Sequence, residues 1–124
     1  MSWIVRNIGW VLIVSGLGTS SVLLMAADPR LAMQTIFGEV AEGPVAALIA
    51  RSWGALVGAS GLLLIYAAYH AETRLPILLY SIAGKLGFVV LVAVTPAFRS
   101  RLAAVLAAGD LAIVLLLGWY LIAR

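Results

Sequence analysis

The sequence contains no cysteine and a single histidine, and only 10% of its residues are charged. Without cysteine there is no disulfide framework, zinc–thiolate site, iron–sulfur cluster or thiol redox chemistry. The one histidine, His70, cannot ligate a haem from both faces, and a zinc ion would need further ligands that the sequence does not place beside it. It reads as a solvated boundary residue, with single axial ligation of a pigment or haem as the alternative. Acidic residues are few and lack metal-like spacing, and no nucleophile motif accompanies the serines. The expectation is a chain with no enzyme activity, no metal and no cofactor. Its net charge of +3 is spread singly along the chain, so neither a nucleic-acid patch nor a polybasic tail forms.

What remains is strongly apolar: 65% of the residues are hydrophobic and the mean hydropathy is +1.15. Soluble domains hold roughly 45–50%. A hydrocarbon core of about 30 Å takes about 20 apolar residues per helix, and four such runs fill the single domain 1–124, at about 8–26, 45–69, 75–94 and 102–122. The first run continues to Met25 with no small-x-small cleavage pattern after it, so it reads as a retained span and not a signal peptide. Trp3, Trp10, Tyr66, Tyr69 and His70 fall at headgroup boundaries. Residues 28–44 are more polar, and their middle, 31–37, suits a short helix lying in the interface. The connections 70–74 and 95–101 are short and Pro96 halts the third run, which predicts an all-α, up-down-up-down four-helix bundle. That topology puts Arg6, Arg74 and Arg124 on one side and Arg30, Arg99 and Arg101 on the other, a balance that sets no orientation.

Three charges interrupt the runs. Lys85 lies roughly 14 Å along the third run from its end, and Asp110 roughly 12 Å into the fourth from the same surface. A charge at mid-membrane costs about 2.5–3.5 kcal/mol on insertion scales, so the matched depths predict a Lys85–Asp110 pair. Snorkelling of Lys85 falls short, because a lysine stem spans only about 6 Å. Arg51, roughly 9 Å into the second run, either snorkels or turns inward. If inward, Arg51, Lys85 and Asp110 sum to +1 beside Ser15 and Thr19, and the missing anion is Glu39 or Glu42 of the first loop, or a bound ligand. The competing reading is a closed ion-pair network that fixes helix register.

Small residues recur at helix spacing. Gly54, Gly58 and Gly61 in the second run, and Gly84 and Gly87 in the third, suit close helix approach in lipid, as do Gly16 and Gly18 of the first. Hydroxyls such as Ser20, Ser21 and Ser60 are expected to return to helix carbonyls. The segments Ala50-Arg51-Ser52-Trp53-Gly54-Ala55-Leu56-Val57-Gly58 and Gly84-Lys85-Leu86-Gly87, with the chain's size, resemble bacterial four-span proteins of the DoxX-like group. That resemblance implies a small inner-membrane protein, often an accessory to a redox or export system. The central first-span glutamate of small multidrug exporters and the residue pattern of dual-topology fluoride channels are missing.

Two functions follow as expectations. The first is a non-catalytic accessory or interaction subunit of the bacterial inner membrane, packed in the bilayer on a larger complex or on its own copies. The second is a binding or transport protein for a small anionic or amphipathic ligand seated at Arg51, Lys85 and Asp110.

Overall fold

The computed structural model describes residues 2–124 and, among them, contains only helices and turns. Six α-helices follow in order: α1 Trp3–Ser20, α2 Leu23–Ala27, α3 Pro29–Phe37, α4 Pro44–Tyr69, α5 Arg74–Ala93 and α6 Leu102–Ala123. Four stretches are long and apolar enough to cross a membrane: α1 with α2, then α4, α5 and α6. At 1.5 Å per residue α4 is roughly 39 Å long and α5 roughly 30 Å.

The first run differs from the continuous helix expected over 8–26. Its helix begins earlier, at Trp3, and stops at Ser20 before restarting at Leu23. Ser20 and Ser21 donate their hydroxyls to the carbonyls of Leu17 and Gly18 in the last turn. The amides of Val22, Leu24 and Met25 then bond three residues back, a tighter turn that redirects the chain. The redirected segment lies across α4, where Gly54 makes room for Met25 and Ala26, and Gly58 for Leu23. A Cβ on Gly61 would collide with the backbone of Ser20 and Gly16. These glycines therefore set how closely α1 and α2 approach α4.

Gly84 and Gly87 do not share that role. Both are exposed, and a Cβ on either meets nothing within 4 Å, as is also true of Gly18. Glycine spacing alone carries no information about which face a helix turns inward.

The first loop forms α3. Asp28 accepts a hydrogen bond from the Leu31 amide at 3.2 Å and Pro29 occupies the first turn, so these two successive residues start the helix. Gly38, in the left-handed region at φ 72°, ends it. Its Ala32, Met33 and Ile36 are buried with Met25, Ala50, Val92 and Ala103, so α3 packs on the long helices.

Arginines close three helix ends by donating to carbonyls the ladder leaves open. Arg74 reaches Ala67 and Ala68 at the end of α4, at 2.8 and 2.9 Å. Arg99 donates to Ala93 of α5 at 2.8 and 3.1 Å, and Arg51 to Ala26 of α2 at 2.8 Å.

Two apolar clusters result. One joins Ile4, Ile8 and Leu12 of α1 to Leu64, Leu78 and Leu117. The other is the α3 cluster just described. Along α1, α5 and α6 a polar layer lies between the two: Ser15 and Thr19, then Ser81 and Lys85, then Asp110.

Candidate functional site

Lys85 is the only lysine of the chain. It sits on α5 with 6% of its surface exposed. Its Nζ donates to Asp110 Oδ1 of α6 at 2.8 Å and to Thr19 Oγ1 of α1 at 2.8 Å. The contact with Asp110 is an ion pair in which the carboxylate side chain keeps 23% exposure and the lysine 7%. Both residues stand eight positions from the helix ends that face each other across the 94–101 turn, roughly 12 Å along each helix. An ammonium carries three N–H donors, so one remains after these two bonds.

Ser81 precedes Lys85 by four residues, hence by one turn on the same face of α5. It is 3% exposed, and its Oγ is buried without a hydrogen-bond partner. Other hydroxyls in this chain do find helix carbonyls: Ser60 donates to Val57, Thr35 to Leu31 and Thr95 to Leu91. Unpaired burial of a hydroxyl costs about 1–3 kcal/mol; the Ser2 hydroxyl at the start of α1 shares that state, and Ser81 is the one that borders the cavity.

Ser81, Lys85, Asp110 and Thr19 share the wall of one cavity of about 480 Å³. That volume is within the range of small-molecule pockets. The rest of the wall is largely apolar and aromatic, including Trp53, Phe88 and Ile113. Leu56, Tyr80 and Val105 also line it and are themselves more than half exposed, so the cavity reaches the outer surface between helices. Among the described residues, Lys85 and Asp110 are the only charged ones on this wall, and their formal charges cancel.

The remaining sequence candidates lie elsewhere. Arg51 is exposed and holds the end of α2, so the sum of +1 expected from an inward arginine does not arise. Glu42 pairs with Arg30 at 2.7 Å, with both side chains in the open. Glu39 borders a second, apolar cavity of about 610 Å³ that shares Met25, Trp53 and Phe88 with the first. Ser15 is buried one turn before Thr19. His70 stacks on Tyr66 at 3.9 Å between ring centroids, and its Nδ1 lies 3.0 Å from the Tyr66 carbonyl. Among the described residues, no three His, Asp or Glu side chains gather where they would hold a metal ion.

Sequence reading passed over Ser81, although its four-residue spacing from Lys85 was a usable signal. The aromatic wall from Trp53 and Phe88 had no such signal, because their meeting at 5.9 Å depends on how α4 and α5 pack.

Comparison with protein-family models, with curated proteins and with solved structures finds no match to this chain.

Proposed function

We propose that the chain is an up-down-up-down four-helix bundle embedded in a membrane, and that it binds a small amphipathic molecule in the cavity at Lys85. The carrying observation is a charge-neutralised ion pair, its lysine buried and its carboxylate partly so, that opens on a largely apolar cavity. Insertion is supported by four spans of membrane length and by exposed Leu, Val and Ile along them. The antiparallel order is supported by the first apolar cluster. It joins the start of α1, the end of α4, the start of α5 and the end of α6. With the bundle in lipid, the mouth at Leu56, Tyr80 and Val105 faces acyl chains, and the ligand enters sideways from the bilayer.

The test uses Trp53 as a reporter. A brominated long-chain alcohol is titrated into the protein in detergent. The quenching missing from Trp53→Phe comes from the two cavities that Trp53 borders, and the part lost in Gly84→Phe is assigned to the Lys85 cavity, which alone has Gly84 on its wall. Saturable one-to-one quenching is expected. It is lost in Gly84→Phe, which places a ring where the structure has open space, while helix content and melting temperature stay unchanged. Quenching that never saturates and is equal in Gly84→Phe means simple partitioning and overturns the proposal.

A second reading, an interaction subunit of a larger membrane complex or a homo-oligomer, is favoured by the open, exposed Gly84 and Gly87 on α5. Such positions admit another helix at close range in lipid. Sedimentation in detergent checks it: Gly87→Leu should shift an oligomer toward monomer, and a native chain that is monomeric at all concentrations rules out the homo-oligomer.

A further inference from the structure

We infer that Ser81 and Lys85 form the head-group site of this cavity, and that they receive a neutral carbonyl or ester oxygen and not a carboxylate or phosphate. The inference rests on the reading of the cavity as a ligand site.

Two hydrogen-bonding groups on one helix face are left over there. The Lys85 ammonium has one N–H beyond its bonds to Asp110 and Thr19. The Ser81 hydroxyl, one turn away, has no partner although it is 97% buried, by its 3% exposure. A carbonyl oxygen has two lone pairs, one for each donor, and it is met by the ammonium directly and by Ser81 once that hydroxyl turns from its enclosed position toward the cavity it borders.

Charge then selects the class. The cavity wall already holds one positive and one negative side chain, 2.8 Å apart. A bound anion would give the site a net charge of −1 beside the Asp110 carboxylate, in surroundings too apolar to screen it. A bound cation would meet the ammonium. A neutral dipole gains the two hydrogen bonds without either penalty, and its hydrocarbon part covers the apolar wall at Trp53, Phe88 and Ile113.

The experiment compares three terminally brominated probes of equal chain length by Trp53 quenching: a methyl ester, the corresponding carboxylate and the bromoalkane. The ester is expected to bind about tenfold more tightly than either of the others. Ser81→Ala should bring the ester down to the bromoalkane's affinity and leave bromoalkane binding as it was. The same variant should leave the melting temperature of the unliganded protein unchanged or raised, because it removes a hydroxyl that has no partner. If ester and bromoalkane bind equally, or the carboxylate binds best, the head-group assignment is wrong while the cavity stands as a ligand site. If none of the three binds saturably, the ligand-binding reading fails first.

Discussion

Replacing Asp110 by asparagine would remove the charge facing Lys85, a residue 6% exposed, and leave its ammonium only neutral acceptors, the Thr19 hydroxyl and the asparagine amide oxygen. Removing one member of a buried ion pair costs about 3–5 kcal/mol, because the other charge stays behind uncompensated. The two members are not equivalent here. Lys85 has 7% of its side chain exposed and Asp110 has 23%, so the carboxylate is the one with room to reorient toward the cavity. Asp110→Asn should therefore cost about 3–4 kcal/mol, and Lys85→Met about 2–3 kcal/mol. The double variant, with no charge left to bury, should cost about 3 kcal/mol in all, which gives a coupling of about 3 kcal/mol. The assay is equilibrium unfolding of all four proteins in the same mixed micelles, read by helix content. Single effects that add within about 0.5 kcal/mol would refute the pairing. A larger loss for Lys85→Met than for Asp110→Asn would refute the argument from unequal burial.

Gly61→Ala drives a methyl into the backbone of α1 at Ser20 and Gly16 and should lower stability by at least about 2 kcal/mol. Gly87→Ala, at an open helical position, should be neutral or stabilising by up to about 1 kcal/mol, and thermal unfolding of the pair checks both. Thr19→Val removes an acceptor from a charged donor and should cost about 1.5–3 kcal/mol in the same micelle unfolding assay. Arg74→Lys keeps the charge but not the two-pronged reach to Ala67 and Ala68. It should cost about 1 kcal/mol and speed hydrogen exchange at the α4–α5 turn.

How much of this was legible in the sequence depends on the distance over which each feature is determined. Helix content and the four apolar stretches follow from local composition, and the end of α5 follows from Thr95-Pro96. The break at Ser21-Val22 is also local, yet it was hidden, because hydropathy stays high through Leu23, Leu24 and Met25 while the serines compete for backbone carbonyls. Counting residues from the ends of two consecutive runs put Lys85 and Asp110 at one depth, since a single short turn links their helices. Arg51 and the loop glutamates were harder. A long side chain near a helix start has several carbonyls and carboxylates within reach, and only the path of α2 and α3 decides that Arg51 meets Ala26 and Glu42 meets Arg30. Glycine spacing pointed equally to Gly54, Gly58, Gly61, Gly84 and Gly87, but helix packing uses the first three and leaves the last two open.

The proposal that the cavity at Lys85 binds a ligand is tested most directly at the ammonium itself. Because the chain has one lysine, lysine-specific nitrogen-15 labelling gives a single Nζ resonance in the native protein in detergent. Titration with the brominated methyl ester should move that resonance saturably, with the midpoint found by Trp53 quenching, and leave it still in Gly84→Phe. A resonance that stays fixed in the native protein while the ester saturates Trp53 quenching would place the bound molecule away from Lys85 and contradict the account.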